Sequence, residues 1–128
     1  MKKILSLCAT LLIAGTVFAG EFPDISIADL KKAIADKKVT IIDVMGSASY
    51  KKGHVPTAID FAAAKASFAK SLPADKNALI VAYCGGPTCK AYQSAANAAE
   101  KLGYKNIKHM SAGISGWLQA GEKTEKSN

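Results

Sequence analysis

Short apolar runs alternating with helical spacing predict an α/β domain: a parallel central sheet with helices on both faces. Three observations carry that reading. The runs Val39–Val44 and Ala78–Tyr83 are rich in β-branched or apolar residues, as buried strands are. Segments with apolar residues three and four apart separate them, and every connection is short. No internal repeat or linker divides the chain, and 128 residues at 49% hydrophobic composition suffice for one buried core.

The first twenty residues read differently. Lys2 and Lys3 form a positive start, Ile4 to Ile13 an apolar core, and Val17-Phe18-Ala19 puts small residues where a signal peptidase reads. The pattern predicts a signal peptide over 1–19, cleaved after Ala19, and hence a periplasmic or secreted protein without stable membrane insertion. An uncleaved N-terminal anchor is the alternative, disfavoured because the apolar stretch is at the low end of spanning length. Cys8 lies inside the apolar core, upstream of where a lipid-modified cysteine would sit. Cleavage would remove it and leave Cys84 and Cys89 in an oxidising compartment.

The folded domain is expected over 20–121. Ser26 and Asp29 form a capping box ahead of a helix predicted over 27–36. A strand follows at 39–44, broken by Gly46. A short helix is expected over 48–52, ended by Gly53, then a short strand over 58–61. The alanine-rich stretch 62–72 predicts one helix, stopped by Pro73. Asp75-Lys76-Asn77 is a turn, and 78–83 is the central strand. A long helix is predicted to open at Thr88 or Lys90 and run to Leu102, with Gly103 as its stop. A strand over 106–110 and a helix over 114–120, closed by Gly121, complete the domain. The polar tail 122–128 is expected to fray.

The net charge of +7 comes from lysine alone, since the chain contains no arginine. Bidentate reading of bases and phosphates usually uses arginine, and no basic cluster is interleaved with aromatic residues, so nucleic-acid binding is not expected. Two distant histidines, His54 and His109, without a paired ligand motif, give no expectation of a metal.

Tyr83-Cys84-Gly85-Gly86-Pro87-Thr88-Cys89-Lys90 carries the candidate chemistry. In parallel α/β sheets ligands bind at the carboxyl ends of strands, and Cys84 falls at one. Glycines after a strand let the backbone curl with amides inward, and a nearby helix start would favour a thiolate and bound anions. Cys84 is therefore the candidate nucleophile. Gly85, Gly86, Thr88, Cys89 and Lys90 are the expected substrate contacts, with a donor fewer at Pro87. Cys89 could resolve an oxidised Cys84, bond to it, or merely pack. Asp43, at the end of the first strand, is a candidate for orienting loop amides, and His54 for a supporting position. For Asp43 the plainer role is turn initiation, for His54 a hydrogen-bonded structural group, and for Lys90 a surface cation.

These residues resemble the rhodanese-like sulfurtransferase family over nearly all of 22–121. Asp43-Val44 resembles its first strand end. Tyr50 with Gly53-His54-Val55-Pro56-Thr57-Ala58 resembles its Gly-His-x-Pro-x-Ala signature, and Cys84 its catalytic cysteine. Gly113-Ile114-Ser115-Gly116-Trp117, followed by Ala120-Gly121, resembles its closing motif. The resemblance implies a single rhodanese-like domain. It implies transfer of sulfane sulfur from a small anionic donor such as thiosulfate to cyanide or a thiol, with an acceptor protein as a further partner. The route implied is a persulfide on Cys84, with no cofactor.

The sequence departs from the family in the loop. Gly85 and Cys89 stand where arginines are common, and the loop resembles a Gly-Pro-x-Cys subset. The spacing Cys84-x5-Lys90 also resembles the phosphate loop of dual-specificity phosphatases, but lysine cannot make the bidentate clamp. An exported thiol redox or sensor protein using Cys84 and Cys89, and a persulfide-carrying binding module, remain the alternatives.

Overall fold

The computed structural model describes residues 22–127. The expected signal peptide, with Cys8 and the Ala19 cleavage site, lies outside the described residues. Among these, no helix is long and apolar enough to cross a membrane.

Four parallel strands form the sheet, in the order β2-β1-β3-β4: β1 Thr40–Asp43, β2 Ile59–Asp60, β3 Ile80–Tyr83 and β4 Ile107–His109. β1 and β3 are interior, which suits their apolar composition. The period-2 alternation of β3 divides the core in two. Ile80 and Ala82 face one layer, which also holds Cys84, and Val81 and Tyr83 face the other. The first layer is covered by α3 (Phe61–Ala64), α4 (Phe68–Ser71) and α5 (Tyr92–Lys101), through Phe61, Phe68, Ala95 and Ala99. The second is covered by α1 (Ile27–Ala35) and α6 (Gly113–Gln119), through Leu30 and Trp117. Helices thus lie on both faces, as expected. α2 (Ser47–Lys52) connects β1 to β2.

Local chemistry explains the boundaries. The Ser26 hydroxyl accepts from the Asp29 amide at 3.1 Å and opens α1. Gly46 takes φ +90° at the start of α2, and Gly103 takes φ +95° after α5, where only glycine is unstrained. The Tyr104 amide reaches back to Ala99 O at 3.2 Å, closing α5 as a Schellman motif.

Four expectations change. The strand expected over 58–61 is only Ile59–Asp60, because Asp60 caps a helix: its carboxylate accepts from the Ala62 amide at 3.1 Å, so Phe61 is already helical. The helix expected over 62–72 is broken by a 3₁₀ turn at Lys65–Ser67. Seven residues of continuous helix would separate Phe61 and Phe68 by about 10 Å along the axis. The break lets their rings meet edge to face at 5.1 Å. The helix expected from Thr88 or Lys90 starts at Tyr92 instead. A turn from Gly86 to Cys89 and two further i→i+3 bonds, Gln93 N to Lys90 O and Ser94 N to Ala91 O, occupy the intervening chain.

The described part of the tail, 122–127, does not fray. Glu125 exchanges both backbone hydrogen bonds with His54, each at 2.9 Å. Lys123 O accepts from the indole N–H of buried Trp117 at 2.8 Å, and Glu122 pairs with Lys31 at 2.9 Å. A buried indole N–H needs an acceptor, and the tail supplies it.

Candidate functional site

Cys84 follows β3 directly, at the carboxyl end of an interior strand, and is 1% exposed. Its Sγ is bonded to Cys89 Sγ, with the Cα atoms 6.2 Å apart, within the range a disulfide spans. The loop that makes this possible is built from short-range chemistry. The Cys89 amide donates to Gly86 O at 3.1 Å, closing a four-residue turn with Pro87 in the position where its fixed φ is favoured. That turn brings Cys89 back over Cys84.

The loop is clamped from the other side by α6. The amides of Ile114 and Ser115 donate to Cys84 O at 2.9 Å and Gly85 O at 3.0 Å. Gly113, at φ +64°, lies against the Gly85–Gly86 peptide; a Cβ there would stand 2.5 Å from Gly85 C and Gly86 N. Met45 borders the loop as well, its Sδ within van der Waals reach of a Cβ placed on Gly85. Met45 and Ile114 also line a shallow groove with Ser49, Lys52, Leu118 and Thr124, beside the loop. A larger cleft bounded by Phe22, Glu100 and Tyr104 contains no loop residue.

The expected site residues separate into two groups. Cys84, Gly85, Gly86, Thr88, Cys89 and Lys90 share one loop, with Thr88 and Lys90 exposed and Cys89 half-buried. The Cys89 amide is consumed by the turn. The amides of Gly85, Gly86 and Thr88 donate to no backbone carbonyl among the described residues. Lys90 stands ahead of α5 rather than in its first turn, and the helix that was to assist Cys84 begins at Tyr92, beyond the turn.

Asp43 and His54 sit beneath, on other partners. Asp43 is fully buried. One carboxylate oxygen accepts from the Met45 amide at 2.7 Å and the other from the Tyr83 hydroxyl at 2.5 Å. Asp43 therefore orients the Met45 segment beside the loop, not the amides after Cys84. Burial pushes its carboxyl above the usual range, and the hydrogen bonds from Tyr83 and Met45 oppose that rise. Burial, with the Asp43 carboxylate beside it, pushes the Tyr83 phenol far up, so it stays a donor. Its oxygen also accepts from the Val55 amide at 3.0 Å. His54 stacks on Tyr50 at 3.7 Å and its Nδ1 bonds Tyr50 O at 2.8 Å. It holds the loop before β2 and the tail together.

Sequence reasoning missed the Tyr83 bridge, the Met45 contact and the Gly113 clamp. The signal for Tyr83 was present: a tyrosine inside an apolar strand must find a partner for its hydroxyl. His109 is a further buried polar group, at 7% exposure, with its ring stacked on Tyr92 at 3.4 Å. Its Nε2 has no hydrogen-bond partner, and burial pushes its pKa down against the attraction of Asp24. No cluster of potential metal ligands occurs among the described residues.

A parallel sheet with a cysteine loop at the end of an interior strand, clamped by a closing glycine-tryptophan helix, defines a rhodanese fold. The rhodanese-like domain family matches residues 26–120, most of the chain, and the protein belongs to that family. No curated protein matches the sequence. Among solved structures, a Bacillus halodurans protein is 27% identical, with 81% of this chain and 77% of that one covered and a TM-score of 0.64. The thiosulfate sulfurtransferase of Pseudomonas aeruginosa shares the fold at 21% identity and a TM-score of 0.68, over 86% of this chain and 20% of its own. The polysulfide-sulfur transferase homodimer of Wolinella succinogenes does so at 20% identity and a TM-score of 0.66, over 86% and 82%.

Proposed function

We propose that the protein is a sulfurtransferase, moving sulfane sulfur from a small anionic donor such as thiosulfate to cyanide, a thiol or an acceptor protein through a persulfide on Cys84. The observation that carries this reading is Cys84 at the carboxyl end of interior strand β3, in a loop fixed by α6. The names of the Pseudomonas and Wolinella neighbours support the reaction class. In the reduced form, the Cys84 thiolate attacks the outer sulfur of the donor, and sulfite leaves with the bonding pair. The amides of Gly85, Gly86 and Thr88, which donate to no backbone carbonyl among the described residues, are the donors for the persulfide anion, and Lys90 is the cation at the loop rim. An acceptor nucleophile then takes the outer sulfur and regenerates the thiolate. Asp43 and Tyr83 act as positioning residues through Met45 and the strand ends.

The test is intact mass spectrometry of the reduced Cys89→Ser protein after thiosulfate, with peptide mapping. A gain of one sulfur on Cys84, lost on adding cyanide, is the expected result. No gain in a folded protein would refute the reading. A dithiol redox protein is the second reading, favoured by the Cys84–Cys89 bond. It requires disulfide exchange with a partner and no sulfur uptake. The protein acts outside the cytoplasm on this proposal, with Gly20 as the mature N-terminus; N-terminal sequencing from the cell envelope checks it, and an intact Met1 would replace export with anchoring.

A further inference from the structure

We propose that Cys89 resolves the Cys84 persulfide, releasing hydrosulfide and leaving the Cys84–Cys89 disulfide, so that the protein is a sulfide-producing persulfide reductase reset by a dithiol. The inference rests on the sulfur-transfer reading above. Three observations carry it. Cys84 and Cys89 are bonded in the folded loop, with Cα atoms 6.2 Å apart, so the loop brings Cys89 to Cys84 Sγ, the inner sulfur of a persulfide. The Gly86–Cys89 turn and the Ile114 and Ser115 clamp hold that approach in place. Among the described residues Cys84 and Cys89 are the only cysteines, so no other thiol there competes.

The step balances without an outside oxidant. The Cys89 thiolate gives its electron pair to Cys84 Sγ, the inner sulfur. The bond from Cys84 Sγ to the sulfane sulfur breaks, and its pair leaves on that sulfur. The proton that Cys89 loses goes to the departing sulfide, giving hydrosulfide. The sulfane sulfur gains two electrons, and the two cysteines lose one each. The disulfide is then reduced by an external dithiol, which supplies two electrons and two protons and becomes a disulfide itself. Effective concentration favours this route: a thiol tethered in the same loop competes with any free acceptor as an intramolecular nucleophile.

Attack at the outer sulfur would give a different product, a persulfide moved to Cys89. The loop that bonds Cys89 to Cys84 places it against Cys84 Sγ, the inner sulfur, and this favours release over transfer.

The experiment is a single turnover of reduced wild-type protein, freed of reductant, with one equivalent of thiosulfate and no acceptor. Sulfite and hydrosulfide are expected in equal amounts, one of each per chain, and the protein mass should fall by two hydrogens. Cys89→Ser should release sulfite only and gain one sulfur. A wild type that keeps the sulfur, releases no hydrosulfide and still passes sulfur to cyanide overturns the inference and leaves the sulfurtransferase standing. Recovery of the added sulfur on Cys89 overturns it as well. If neither protein takes up sulfur or releases sulfite, the sulfurtransferase reading falls and the inference with it.

Discussion

Gly113 and Gly85 pack backbone to backbone: a Cβ on Gly113 would stand 2.5 Å from Gly85 C and 2.6 Å from Gly85 O. The closing helix and the cysteine loop can meet this closely only because Gly113 lacks a side chain. Gly113 also holds φ +64°, a conformation that L residues resist.

Gly113→Ala should therefore be costly twice. Positive φ alone costs about 1 kcal/mol, and the forced separation adds about 1–3 kcal/mol. The loop should move away from α6 and lose the Ile114 and Ser115 bonds to Cys84 and Gly85. A urea midpoint lowered to match, with slower sulfur uptake by the reduced protein, is expected. Wild-type stability in Gly113→Ala would show that the loop is not pinned there.

Tyr83 and Asp43 give a pH-dependent prediction. Burial raises the Asp43 pKa in the folded protein above its unfolded value. The folded state then binds this proton more tightly than the unfolded state. The contribution to stability is full below the unfolded pKa and is lost as pH rises through the folded pKa. Wild type should therefore gain stability relative to Asp43→Asn as the pH falls from neutral toward the ordinary carboxylate range. Urea midpoints of both proteins across that range check the sign. A gap that widens in the opposite direction would mean that the carboxylate is stabilised when charged. Tyr83→Phe removes the donor from a fully buried carboxylate and should cost about 1–3 kcal/mol at neutral pH.

Much of this was legible in the sequence. Strand runs, the Ser26 cap and the Gly103 stop report local chemistry, and each lies where the pattern put it, to within two or three residues. Cys84 at a strand end followed from hydrophobic run length and glycines. What failed depends on contacts distant in sequence. The break between Phe61 and Phe68 is a packing choice, invisible to helical spacing. The tail is ordered by an indole N–H and a histidine loop that composition does not reveal. The late start of α5 follows from the Cys84–Cys89 turn, whose closure the spacing left open. The role expected for Asp43 shifted because its partner, Tyr83, is forty residues away.

His109 carries a prediction of opposite sign. Its Nε2 is buried without a partner, and its pKa in the folded protein is lowered. Stability from the neutral ring is full above the unfolded pKa and is lost as pH falls through the ordinary histidine range. His109→Phe keeps an aromatic ring against Tyr92 and removes the unpartnered nitrogen. It should match or exceed wild-type stability at neutral pH, by up to about 1 kcal/mol. Its advantage should grow on mild acidification. Thermal melts at neutral and mildly acidic pH test both statements, and a variant less stable than wild type at both would reveal a needed imidazole contact.

Lys90 tests the electrostatics of the proposed donor site. It is exposed, ahead of α5, in a loop with no arginine to share the charge. An exposed charge pair contributes up to about 1 kcal/mol, a factor of about five in binding. Lys90→Ala should raise KM for thiosulfate by up to that factor at low salt, with kcat unchanged, because the cation acts on the bound dianion and not on the breaking bond. The effect should shrink as ionic strength rises, since an exposed charge is screened. Steady-state kinetics at two salt concentrations, on protein kept reduced so that Cys84 is free, separate the cases. A KM that does not move at low salt would make Lys90 an ordinary surface lysine and leave the loop amides as the donor's remaining anchors.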